Sequence, residues 1–189
     1  MVERILNETG LDPYWLDLEL TETAMMEDSA VLARNLRDLA ELGVGCAIDD
    51  FGTGYSSLSY LAGLPLKILK IDGSFIERIG WDHKTEALTR GIISMARSLG
   101  LGVTAEKVET VEQLDFLQAE RCDRIQGYLA SRPVDADAMA RILRSGVNLL
   151  PEASTYARRA GALREQDDVS SSLDRLARLQ RTEGYSSVH

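Results

Sequence analysis

Five short apolar runs of strand length, each finishing in an acidic or other polar side chain, constrain this chain more than any other feature. They are LDLEL (16–20), GCAIDD (45–50), ILKID (68–72), GVTAE (102–106) and RIQGY (124–128). Between them the apolar residues follow a helical period. Leu32, Leu36 and Leu39 form one stripe stopped by Gly43, and Leu88, Ile92, Met95, Ala96 and Leu99 form another stopped by Gly100. Thr110 and Gln113 spell a capping box ahead of Val111, Leu114 and Leu117. Asp135 is placed to cap a last helix running through Leu143 to Gly146, and residues 2–9 read as an opening helix. Strands alternating with helices predict a parallel α/β sheet, either open and doubly wound or closed as a (β/α)₈ barrel. No glycine fingerprint for phosphate follows any strand, which lowers the dinucleotide-fold reading.

The polar residues at the strand ends are Glu19, Asp49 with Asp50, Lys70 with Asp72, Glu106, and Gln126. In a barrel these ends share one face, the face where such folds keep their chemistry. Five strands are legible where a closed barrel takes eight. The expectation is therefore an incomplete barrel over residues 1–146, with an open flank met by self-association or by a partner chain. Residues 147–189 are expected to be a polar tail. There Asp168 or Ser170 can cap an amphipathic helix carrying Val169, Leu173, Leu176 and Ala177. That helix either lies free on the surface or covers an apolar face of this or another chain.

The formal net charge is −9. From Asn148 onward, Arg158, Arg159, Arg164, Arg175, Arg178 and Arg181 balance Glu152, Glu165, Asp167, Asp168, Asp174 and Glu183, so the excess acid belongs to the body. An acidic body argues against long nucleic acid held through its phosphates. It is compatible with a small phosphate ligand bridged by divalent cations. No apolar run reaches the roughly 20 residues of a membrane span, and the N-terminus lacks a secretory signal. Cys46 and Cys122 have no metal-type spacing, so reduced thiols in a cytoplasm are expected.

Glu19, Asp49, Asp50 and Glu106 are candidate ligands for a hard cation, which prefers carboxylate oxygens. An Asp–Asp pair can equally cap the next turn. Lys70, two residues before Asp72, can hold a phosphate or orient a nucleophile, or simply pair with that aspartate. Gln126 can hydrogen-bond a base or sugar, or be an ordinary polar strand end. DDFGTGYSS (49–57) reads as a loop able to cover a ligand or as a plain turn, with Glu22 placed to hydrogen-bond its backbone.

Taken together, LDLELTETAMM, GVGCAIDDFGTGYSSLSYLAGLPLKILKID, LGVTAEKVET and CDRIQGYLASRP resemble the EAL family of cyclic-di-GMP phosphodiesterases from about residue 2 to 143. The resemblance implies a TIM-like barrel, two Mg²⁺ or Mn²⁺ ions and hydrolysis of cyclic-di-GMP to linear pGpG. It implies metal-binding roles for Glu19, Asp49, Asp50 and Glu106, with Glu106 also a general base. Lys70 would position the attacking water, and Asp72 and Gln126 would lie on the substrate side. Glu22 would steady the mobile loop and Glu109 would be a supporting carboxylate. The sequence departs from the family pattern in three places. The glutamate of the E-A-L motif and the metal-binding asparagine of the next strand have no counterpart. Lys107 stands where the family's A-E-G-V-E-T has glycine. A site short of two ligands is expected to give little turnover, since even one outer-shell partner is worth about 10–100-fold. The rival readings are a non-hydrolysing cyclic-di-GMP receptor and a protein-interaction module.

Overall fold

The structure is a computed structural model that describes residues 1–22, 24, 29–54 and 58–150. The tail from 151 onward, with the helix expected there, lies outside the described residues, as do residues 55–57 of the loop. Helix α1 (Val2–Thr9) and a 3₁₀ turn (Pro13–Trp15) lead into β1 (Asp17–Thr21). Then follow α2 (Ser29–Glu41), β2 (Gly45–Phe51), α3 (Leu58–Leu61), β3 (Ile68–Ile71), α4 (Gly73–Ile76) and α5 (His83–Ser98). The chain continues through β4 (Gly102–Ala105), α6 (Val111–Ala119), β5 (Arg124–Ile125) and α7 (Ala136–Ser145).

All strand pairs are parallel, and the sheet runs in chain order β1-β2-β3-β4-β5. Sequential order with a helix after each strand is the barrel-type winding rather than the reversal of a doubly wound sheet. Among the described residues the sheet does not close, and β1 and β5 are its edges.

Burial follows that arrangement. The three middle strands are almost wholly buried, whereas β1 alternates exposed and half-buried residues. Ile48, Leu69, Ile71, Val103 and Ala105 from the sheet pack with Leu36, Ile93, Leu114, Phe116 and Leu117 from the helices in one core. Apolar burial of this kind stabilises by about 25 cal/mol per Å². The helix starts are fixed by local chemistry. Asp82 accepts from Lys84 N at 2.9 Å, Thr110 and Gln113 complete the capping box, and Asp135 accepts from Ala138 N at 2.7 Å.

The structure refines the strand ends. ILKID was read as strand through Asp72, but β3 stops at Ile71, and Asp72 caps α4 by accepting from Ser74 N at 3.0 Å. RIQGY shrinks to Arg124–Ile125, although Gln126 N still donates to Ala105 O at 2.8 Å. Gly127 follows because a Cβ there would collide with the Val108 backbone. No described helix is long and apolar enough to cross a membrane.

Candidate metal and ligand site at the strand ends

Lys70 stands in the middle strand with only 7% of its side chain exposed, and its ammonium meets three acids. Nζ lies 2.9 Å from Glu19 Oε1 on β1, 2.9 Å from Asp49 Oδ1 on β2 and 2.6 Å from Glu106 Oε1 after β4. Parallel pairing makes this possible: β3 sits between β2 and β4, and β1 flanks β2, so one long side chain reaches three neighbours. Burial pulls the lysine pKa down, but the hydrogen-bonding carboxylates of Glu106, Asp49 and Glu19 outweigh it and push the value above its ordinary range. The ammonium is therefore fixed as a charge, surrounded by more negative charge than it can cancel.

Asp49 and Asp50 are consecutive, and in a regular strand they would face opposite sides. The ladder between β2 and β3 slips between Ile48 and Phe51, and Asp50 adopts φ +53°. This bulge re-aims the chain. Carboxylate oxygens of Asp49, Asp50 and Glu106 then lie within 4.8 Å of one another. Asp49 Oδ1 is shielded from solvent, and the Lys70 ammonium is the partner that reaches it among the described residues. Three carboxylates this close, one of them with a shielded oxygen that meets a single ammonium, carry excess negative charge and fit a hard divalent cation. Glu19 joins this group through Lys70, with half of its own side chain exposed.

Glu22, 3% exposed, anchors the start of the loop. Its Oε2 accepts from Gly52 N and Gly54 N, both at 3.0 Å. Gly52 has φ +101°, and a Cβ at Gly54 would come within 3.0 Å of the Glu22 carboxyl group. The glycines thus bring the loop backbone onto the buried acid.

Beside the carboxylates opens a cavity of about 570 Å³, lined by Glu106, Lys107, Glu109, Gln126, Tyr128 and Arg132 among others. Gln126 and Glu109 are exposed there, and Glu109 N donates to Gln113 Oε1 at 2.8 Å. The Arg132 guanidinium stacks over the Tyr128 ring at 4.6 Å. Neither residue stands out in the sequence, because the stack depends on a turn that no periodicity reveals. Asp72 feels burial, which disfavours its charge, but hydrogen bonds from Ser74 and the charge of Lys107 hold its carboxyl below the usual range. Lys107 takes φ +52°, a left-handed conformation that costs a residue with a Cβ roughly 1–2 kcal/mol. The lysine that stands in place of the family's glycine is therefore strained. A second cavity of about 490 Å³ between α5 and α6 is lined by Arg90, Arg97, Arg121 and Glu120. Arg90 there is engaged by Glu120 and Phe116, and Arg97 by the Arg121 carbonyl.

Residues 1–133 match the family model of the EAL domain. The chain belongs to the EAL domain family. It is 46% identical over 144 residues to the cyclic di-GMP phosphodiesterase NbdA of Pseudomonas aeruginosa, covering 76% of this chain and 18% of that protein. The "PaMucR Phosphodiesterase, c-di-GMP complex" superposes with a TM-score of 0.71 at 42% identity, over 73% of this chain and 56% of that one. Klebsiella pneumoniae BlrP1, solved as a manganese/cy-diGMP complex, gives a TM-score of 0.65 at 33% identity over 70% of this chain and 34% of its own. This EAL domain chain thus spans under a fifth of NbdA and about half of the MucR chain.

Glu22→Ala leaves the Gly52 and Gly54 amides without their carboxylate. It is expected to cost about 2–3 kcal/mol and to speed exchange of those two amides at least tenfold, as read by hydrogen-exchange NMR; unchanged protection would rule out the anchor. Lys70→Met leaves Glu19, Asp49 and Glu106 facing one another. The expected loss in denaturant titrations is about 2–3 kcal/mol, below the value for a fully buried pair because Glu19 is half exposed. Mn²⁺ should restore part of it; a variant as stable as the parent without metal contradicts the role given to the ammonium.

Proposed function

We propose that this EAL domain binds cyclic-di-GMP, with one phosphodiester at the Asp49–Asp50–Glu106 cluster and the rest of the ligand in the adjoining cavity, as a phosphodiesterase-type site of low turnover. The carrying observation is the convergence of carboxylates from three strands on Lys70, with three ligand oxygens inside 4.8 Å. An anionic dinucleotide cannot approach such acids without cations between them, so the ligand set calls for Mg²⁺ or Mn²⁺. Glu19, Asp49, Asp50 and Glu106 would hold these ions. When bound, paired divalent ions activate water and neutralise charge on the phosphodiester.

The protein's own groups supply the remaining chemistry. Lys70, 2.6 Å from Glu106, orients the attacking water, and Glu106 accepts its proton. The water oxygen bonds to phosphorus, the opposite P–O ester bond breaks, the leaving oxygen takes up a proton from solvent as the sugar hydroxyl, and the ring opens to linear pGpG. Gln126 offers its amide to the ligand from the cavity wall, and Asp72 sits on the substrate side. Glu22 and Glu109 support the loops around the site. The free thiols Cys46 and Cys122 suit the cytoplasmic placement expected from sequence. A second reading, a receptor that holds cyclic-di-GMP without cleaving it, is favoured by Glu19: it reaches the cluster only through Lys70. The NbdA and MucR names support the ligand class, and the manganese complex of BlrP1 supports the ion class.

Titration calorimetry is expected to show cyclic-di-GMP binding in Ca²⁺ or Mn²⁺ that EDTA and Asp49→Asn abolish, with pGpG formed at no more than blank level. Absence of metal-dependent binding would overturn the reading, and vigorous pGpG production would overturn the low turnover. The edge of β1, which pairs with no further strand among the described residues, is further proposed to be covered by a second copy of the chain. Sedimentation velocity should show association that grows with concentration; a monomer at all concentrations would refute it.

A further inference from the structure

The backbone at Lys107 is held in place from both sides. Glu106 N donates to Ile71 O at 3.2 Å, and Val108 N donates to Gln126 O at 3.0 Å. Between these anchors Lys107 must take φ +52°, and unlike Asn or Asp it has no short polar side chain to ease that conformation. A strained residue at the rim of a site invites the question of what its side chain does there. The stem of Lys107 crosses the first residue of α4, Gly73, where a Cβ would collide with its Cβ, Cγ and Cδ. Position 73 thus leaves room for the stem, which settles over the end of β3. The ammonium stops 3.7 Å from Glu77 Oε1, and both side chains are about 60% exposed. Such a pair is weak and easily exchanged for a better partner.

The charges around the cavity show why an exchange matters. Glu106 and Glu109 line it, and Arg132 is the other cation among its lining residues. Without Lys107 the rim would carry two carboxylates against one guanidinium, with the Asp72 carboxylate also close enough to feel the lysine. Lys107 brings the rim to balance and places an exposed cation one residue beyond the Glu106 carboxylate. We propose that Lys107 is an anion-anchoring residue that leaves Glu77 to bind the phosphate of a cyclic dinucleotide lying outside the carboxylate cluster. This rests on the functional reading given above and adds to it a second phosphate contact that needs no metal ion.

The test is cyclic-di-GMP affinity in Ca²⁺ at low and high salt for the full chain and three variants. Lys107→Gln keeps the stem and the backbone demand but removes the charge. It is expected to bind roughly tenfold more weakly, about one charge-assisted contact, and to flatten the salt dependence. Lys107→Arg should stay within about twofold of the parent, and Glu77→Gln, which frees the lysine, should bind more tightly; circular dichroism should be unchanged in all three. A Lys107→Gln variant that binds as the parent does, or that loses equally at both salt concentrations, overturns the anchor while leaving the cyclic-di-GMP reading intact. A parent chain that binds no dinucleotide in Ca²⁺ overturns both.

Discussion

The ammonium of Lys70 is the contact on which the mouth of this sheet depends. Glu19, Asp49 and Glu106 come from three different segments, and each would repel the others at the distances that a shared cation site requires. A single internal cation from the central strand resolves the conflict, with contacts of 2.9, 2.9 and 2.6 Å. Its burial would ordinarily favour the neutral amine, but the surrounding acids reverse that preference. The lysine is thus the counter-ion that lets these acids converge, and it stands beside the candidate metal ligands.

Around that contact, irregular backbone does the fine placement. The bulge in β2, with Asp50 at φ +53°, is what turns two consecutive carboxylates toward one point. Glu22 performs a related task on the loop, since two glycine amides meet at one of its oxygens. In both places the chain departs from ideal strand geometry next to the candidate chemistry, where strained conformations are commonly concentrated. Below the rim, Cys46, Ala47 and Ile48 of β2 and Ile68, Leu69 and Ile71 of β3 are buried, so they form an apolar floor for the less regular rim.

The match to the EAL domain falls on a five-stranded sheet that does not close among the described residues. The family match runs over residues 1–133, yet the chain spans only 56% of the MucR phosphodiesterase chain. Carboxylates, lysine, loop anchor and cavity are all in place on five strands. Because each parallel strand pair positions its own ends, that part of a site can be arranged locally while the sheet remains unclosed.

Much of this was legible in the sequence. The buried strands showed as unbroken apolar runs, the helices as periodic stripes, and the caps at Thr110 and Asp135 as local side-chain chemistry, because each is governed by neighbours a few residues away. The candidate acids stood out because they recur at strand ends. Tertiary structure alone decided how they meet. Three acids sharing one lysine, the bulge that aligns Asp49 with Asp50, the cap made by Asp72 and the stack of Arg132 on Tyr128 all depend on contacts across strands or on backbone dihedrals. Lys107 shows the boundary well: its departure from glycine could be read in the chain, but the path of its side chain over Gly73 toward Glu77 required the fold. Periodicity specifies which face a residue occupies, whereas distance between side chains from separate elements is set only when those elements pack.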